Sequence, residues 1–190
     1  LRLMGRSILV MAVPKLNTQA PHFEVKPVFG APLSITEDTQ TQPLVLIFVP
    51  SLGSAVARAR LAQVQEWVAP FDLAGVRLFA FTRSSVRAAQ DFVPRYHLRF
   101  PLVADPDGVF FSKYGVGALR PRQVVSSLRP GAIKQGLQAL RFGVGVPEKA
   151  LFSPTAAFSI ARGGMVKHVH VGANLWSSLP LETLLAKAES

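Results

Sequence analysis

Any chemistry in this chain has to proceed without sulfur nucleophiles, because its 190 residues include no cysteine. Thiolate catalysis, disulfides and thiolate metal ligation are therefore excluded, and cysteine usage says nothing about the redox compartment. Hydroxyls, carboxylates and four histidines remain. His168 and His170 alternate along a run of strand character, so they share a face and could begin a metal site. A metal site needs a full ligand set with supporting hydrogen bonds, and His22 and His97 are distant in sequence, so the pair reads as solvent-facing or interface histidines. Asp105 and Asp107 are close, but Pro106 and Gly108 mark a type I turn in which aspartate caps backbone donors. Ser54 heads a stretch of helical spacing. A serine nucleophile needs a neighbouring base and an oxyanion site, no histidine lies near it in sequence, and the residue reads as a helix cap. Gly143, Gly145, Gly163 and Gly164 do not join a buried strand to a helix and make no phosphate loop. Trp67 and Trp176 read as packing residues. No cofactor or metal is implied.

Charge is the other chemical resource. The formal net charge is +10, and the interval from Phe110 to His170 holds nine basic residues against a single acid, Glu148. Arg120, Arg122, Arg129, Lys134, Arg141, Lys149, Arg162 and Lys167 form the candidate partner-binding surface within it. A field of this kind attracts phosphate, anionic headgroups or an acidic protein face, in a salt-dependent way; the bland alternative is a merely solvated basic surface. The interval lacks the dense aromatic and basic interleaving of single-strand nucleic-acid binders.

These residues need a scaffold, and hydrophobic patterning supplies one. The run Leu44 to Val49, bounded by Pro43 and Pro50, predicts a strand covered on both faces, and Ser54 to Val68 predicts the helix that follows. Val76 to Thr82 predicts a second buried strand, and Ser84 or Ser85 caps a helix running toward Tyr96. Phe100 to Val103 predicts a short third strand, so the order β-α-β-α-β calls for parallel neighbours with helical crossovers. Phe23 to Ile35 suits a loose hairpin before this unit. After it, 120–142 reads as two inserted amphipathic helices, Thr155 to Ala161 and Met165 to Val171 as an antiparallel hairpin, and Leu179 to Ala188 as a closing helix. The length suits one domain over 21–190 behind an N-terminal arm, 1–20, that is basic and apolar in the manner of an organelle-targeting tail or small anchor. No apolar run reaches the roughly 18 residues of a membrane-spanning helix.

Three segments, LVLIFVPSLGSAVARARLAQVQEW, FVPRYHLRFPLVADPDGVFFSKYGV and SPTAAFSIARGGMVKHVHVG, together resemble the alkyl hydroperoxide reductase and thiol-specific antioxidant family, above all its peroxiredoxin-like branch. The resemblance implies a thioredoxin-like α/β fold with a central mixed sheet flanked by helices. Active relatives carry a cysteine motif at the start of the helix after the first core strand, where the helix dipole and backbone amides stabilise a thiolate. Aligning the branch's RxxGCxxCR gives Pro50, Gly53, Ser54, Ala57 and Arg58, and the general PxxxTxxC falls on Pro50, Ser54 and Ala57. Gly53 and Arg58 are kept, and Ser54 and Ala57 stand where the cysteines belong. Pro154 stands where thioredoxin-like proteins keep a cis-proline, and Thr155 where peroxiredoxins hold a thiolate-stabilising arginine.

Peroxide reduction needs a sulfur that becomes sulfenic acid and is recycled, which neither replacement can do. The expectation is thus a catalytically inactive domain serving as a structural or protein-binding subunit of a larger assembly, organellar (mitochondrial or plastid) or else cytoplasmic, and near a membrane through neighbours or the arm. Two alternatives stay open: a residual enzyme or small-molecule binder around Ser54, Pro154 and Thr155, and an RNA-contacting subunit using the basic region.

Overall fold

Complete burial on both faces sets the centre of the molecule. In a computed structural model, which describes residues 11–118, 140, 141, 143 and 153–190, the chain opens with β1 (Glu24–Val25) and β2 (Leu33–Ser34), an antiparallel pair, and then α1 (Ile35–Thr41). The core unit follows as β3 (Leu44–Val49), α2 (Ala55–Glu66), α3 (Val68–Leu73), β4 (Arg77–Thr82), α4 (Val86–Arg95), β5 (Leu102–Ala104) and α5 (Val109–Lys113). It closes with β6 (Ala156–Ile160), β7 (Val166–Val171) and α6 (Leu181–Glu189). The main sheet has the order β5-β4-β3-β6-β7. β4 runs parallel to β3 and to β5, whereas β6 is antiparallel to β3 and to β7. The expected mixed sheet is present, with the parallel β3–β4–β5 neighbours and the antiparallel β6–β7 hairpin.

β3 is the central strand, and its side chains divide by parity, as a pleat requires. Val45, Ile47 and Val49 enter an aliphatic layer with Leu61 and Val64 of α2 and Leu184 of α6. Leu44, Leu46 and Phe48 enter an aromatic layer with Phe23, Phe81, Phe111, Tyr114 and Phe158. Phe48 stacks on Phe81 at 4.8 Å and meets Phe111 and Phe158 edge-on at 5.1 and 5.7 Å, the arrangements that ring quadrupoles favour. Burying each such side chain stabilises the fold by about 1.5–3 kcal/mol. Tyr114 is fully buried with its hydroxyl 3.3 Å from the Pro21 carbonyl, and burial pushes its pKa above the usual range.

α1 is a helix that periodicity does not announce, because it buries only Ile35 and Thr39. Its signal is capping chemistry: the Ser34 hydroxyl accepts from the Glu37 amide, and the Asp38 carboxylate accepts from the Ser34 amide at 2.7 Å. Asp38 also forms an ion pair with Arg77, which ties α1 to the start of β4. The helices expected at 120–142 lie outside the described residues apart from Leu140 and Arg141.

Residues 11–20 lie along the domain. The Met11 amide donates to Ser112 O at 2.9 Å, the Asn17 amide donates to Val166 O at 2.8 Å, the Val166 amide donates to Thr18 O at 2.9 Å, and Ala20 N donates to Gly164 O. Gly115 lets this segment approach. At φ +67° a Cβ there would stand 2.5 Å from the Val13 amide nitrogen, whereas Gly75, at φ +66°, faces open space. The two glycines share the same backbone strain on substitution, roughly 1–2 kcal/mol for a left-handed L-residue. In urea denaturation, Gly75→Ala is expected to lose about that much stability, and Gly115→Ala clearly more, with faster proteolysis around 11–13. Equal losses would show that the segment is not docked there.

Candidate functional site

The end of β3 delivers the chain into the loop 50–54 and the first turn of α2, the place where the sequence puts the family's reactive motif. Hydroxyl groups hold this loop. The Thr82 hydroxyl donates to Pro50 O at 2.8 Å, the Leu52 amide donates to Ser84 Oγ at 2.8 Å, and the Gly53 amide donates to Ser51 Oγ at 3.2 Å. Ser51 and Ser84 also approach each other at 3.3 Å. Arg58 turns back from α2 and donates from Nε to Leu52 O at 2.8 Å. Ser51 and Ser84 are fully buried, so each of these bonds satisfies a group that water cannot reach.

Ser54 is the N-cap of α2, with extended backbone at φ −83° and its hydroxyl accepting from the Val56 amide at 3.2 Å. A lone pair of its oxygen is thereby committed to capping, as its position at the head of the helix predicts. Ala57, one turn on, is 0% exposed, and its methyl group belongs to the aliphatic layer. Pro154 and Thr155 lead into β6 beside the same end of β3, in register with the Phe48–Ala156 pairing. Both are buried, and no peptide bond among the described residues is cis. Thr155 accepts from the Gly172 amide through its carbonyl at 2.8 Å, but its hydroxyl is buried without a partner among the described residues. The structure thus brings Pro50, Gly53, Ser54, Ala57, Arg58, Pro154 and Thr155 to one end of the sheet. No thiol, carboxylate or histidine is among these residues, so the cluster offers no nucleophile with a base.

The capping choice that the sequence left open, Ser84 or Ser85, resolves into two separate jobs. Ser85 Oγ accepts from the Ala88 amide at 3.2 Å and caps α4, while Ser84 points inward to the loop. The Asp105 turn has the expected chemistry: its carboxylate accepts from the amides of Val109, Phe110 and Phe111 at 2.8–3.0 Å. Burial raises its pKa, opposed by those three amides and by Arg83. Among the described residues no group of three or more potential ligands could hold a metal ion.

His168 and His170 share the face of β7 that looks toward α6 and α2, and both are half-buried. Burial lowers the pKa of His168, with Lys187 adding to it; burial lowers that of His170, with His168 and Arg60 adding, against a backbone contact at Ser178. Burial lowers the pKa of Arg60, and both its Nε and His170 Nε2 are buried without partners among the described residues. Its other nitrogens reach Gln63 at 3.2 Å and the Trp176 carbonyl at 2.7 Å. This inward cationic pairing escaped the sequence reading, since residues 60 and 170 are linked only by the fold.

The basic residues do not assemble into one patch within the described part of the chain. Arg141 lies by the groove between α2 and α4, at the Ser54 end of the sheet. Arg162 is exposed at the β6–β7 turn beyond Ile160, which pairs with Leu44 at the opposite end, and Lys167 lies on β7. Arg120, Arg122, Arg129, Lys134 and Lys149 lie outside the described residues.

The family model described as AhpC/TSA matches residues 16–136. The Coxiella burnetii protein named peroxiredoxin bcp is 26% identical over 102 residues, covering 54% of this chain and 67% of its own. Among solved structures, a peroxiredoxin-like protein from Aquifex aeolicus superposes with a TM-score of 0.66 at 18% identity, over 95% of this chain and 90% of that one. Peroxidoxin BcpB from Mycobacterium tuberculosis gives 0.62 at 16% identity, over 92% and 96%.

Two outcomes test the site. Ser84→Ala orphans the buried Leu52 amide and should lower the unfolding free energy by roughly 1–3 kcal/mol in urea titrations; a neutral result would show that the loop does not depend on that hydroxyl. Because both histidines titrate below their unfolded value of about 6.5, the unfolded chain binds more protons as pH falls through that value. Stability is therefore full above it and declines below it until the lower native values are passed. Melting temperatures between pH 8 and 5 should show this decline, and His168→Asn with His170→Gln should flatten it.

Proposed function

The chain belongs to the AhpC/TSA family and has the thioredoxin-like fold of the peroxiredoxins, and from that premise we propose that it uses the scaffold without the chemistry, as a structural or protein-binding subunit of a larger assembly. One observation carries the reading. The two positions aligned with the reactive cysteines hold a serine already engaged in capping α2 and an alanine whose methyl is sealed in the core. A thiolate reduces peroxide by attacking the O–O bond, leaving a sulfenic acid for a second thiol to reduce. A methyl carbon has no lone pair for the first step, and the chain has no cysteine anywhere for the second. Thr155, in the place of the family's arginine, adds no positive charge to hold an anion.

Selection for a fold without its reaction leaves surface recognition as the property to be used. The strongly basic balance, +10 over 190 residues, favours an acidic partner face, and long-range attraction would speed the encounter. Exposed Arg162, with Lys167 in the same hairpin, offers cations for that contact. Assembly in an organelle, the home expected from the basic N-terminal residues, belongs to the same proposal.

Two measurements on the full chain decide it. Purified protein supplied with thioredoxin, glutathione or dithiothreitol should consume no hydroperoxide above the protein-free rate. In native extracts of its source, the chain should migrate in a particle several times larger than its own 20.6 kDa, and R162E with K167E should release it. Thiol-dependent peroxide turnover, or migration of the endogenous chain as a monomer, would overturn the proposal.

A further inference from the structure

A groove of about 460 Å³ runs between α2 and α4, beside the loop 50–54 but on the outer flank of the helix rather than at its N-terminus. The volume lies within the range of sites for small organic ligands. Leu61 and Ala62 of α2, Phe92 of α4 and Leu98 give it apolar walls, Arg58 and Tyr96 line the end toward the loop, and Arg141 adds a second cation to the lining. Phe92 and Tyr96 stack at 4.2 Å with 25° between their planes.

Arg58 is unusually well fixed for a surface arginine. Nε donates to Leu52 O at 2.8 Å, Nη1 donates to the Tyr96 hydroxyl at 2.9 Å, and the guanidinium carbon sits 5.8 and 5.6 Å from the Phe92 and Tyr96 ring centroids. Its third nitrogen, Nη2, has no hydrogen bond among the described residues, and Arg58 has no carboxylate within ion-pair distance there. The cation is therefore held in orientation by neutral groups, and the rotamer entropy that an incoming anion would otherwise have to remove is already lost. Glu66 also lines the groove, but it stands eight residues along α2 from Arg58, about 12 Å at 1.5 Å per residue. Its charge disfavours an anion at that end and leaves the Arg58 end as the place for one. Gln65, between them, is occupied, donating to His97 O at 2.9 Å and accepting from the Arg99 amide at 3.1 Å.

We propose that this groove binds a small monocarboxylate with a flat apolar body, the carboxylate accepting from Nη2 of Arg58 and the body lying against Leu61, Phe92 and Leu98. Charge complementarity sets the headgroup, and the wall chemistry sets the body. No covalent step is involved. The site is independent of the partner-binding role and would persist if that role failed.

The test is calorimetric titration of the full chain with 2-naphthoate, with amide chemical shifts locating the contact. Saturable binding at one site is expected, with shifts on α2 and α4 and at least about tenfold weaker binding of the uncharged 2-naphthamide, the scale set by a hydrogen bond to a charged group. R58M should weaken 2-naphthoate to a similar degree. Because Arg58 also holds Leu52, a second variant keeps the cation and fills the groove: A62W should abolish binding with its melting temperature and loop resonances unchanged. No saturation at millimolar 2-naphthoate, equal affinity for acid and amide, shifts confined to another face, or undiminished binding by A62W would each overturn the proposal.

Discussion

The loop 50–54 has to be held in shape by groups other than those that react, and much of this structure follows from that constraint. It leaves a strand buried along its whole length and enters a helix within five residues, so its backbone donors and acceptors are cut off from water at the moment they leave the β ladder. Unsatisfied, each would cost on the order of 1–3 kcal/mol. Thr82, Ser84, Ser51, Ser54 and Arg58 answer these groups one by one. None of the five bonds involves sulfur. The architecture around a reactive thiol is thus separable from the thiol, and a chain can keep the geometry after the nucleophile is gone.

The two layers on either side of the sheet explain why that geometry tolerates the replacement. Ala57 sits in the aliphatic layer with Val49 and Leu61, where a methyl group is at home and an ionised group would not be. Ser54 is on the rim of the same helix turn, where an oxygen is useful as a cap. Each position is occupied by a residue suited to local packing. Thr155 is the exception: among the described residues its buried hydroxyl has no partner and does no visible structural work.

How much of this the sequence shows depends on the range of the interaction. β3 and α2 are legible because six consecutive apolar residues between prolines, and then a serine before helical spacing, are local signals. The Asp105 turn is legible for the same reason, since its donors lie within six residues of the carboxylate. α1 is harder, because a helix that buries two residues has almost no period to detect; only the Ser34 cap marks it. Contacts between distant segments are invisible in the chain. Ser84 holding Leu52, Arg58 reaching Tyr96 and Arg60 lying near His170 join residues 32, 38 and 110 apart, and each exists because the parallel β3–β4 pair or the β6–β7 hairpin brings two segments together.

Those long-range contacts also separate two uses of arginine on one helix. Arg58 and Arg60 are two residues apart, so α2 turns them some 200° from each other. Arg60 faces the hairpin, where desolvation depresses its pKa and an adjacent imidazole gains from staying neutral. Arg58 faces α4, where ring faces and a phenol hydroxyl support the cation without neutralising it. The imidazole that stays neutral beside Arg60 makes the fold sensitive to acid, whereas a fixed Arg58 with a spare edge is suited to meeting an anion from outside. The same residue type thus takes opposite electrostatic roles because of the face on which the helix places it.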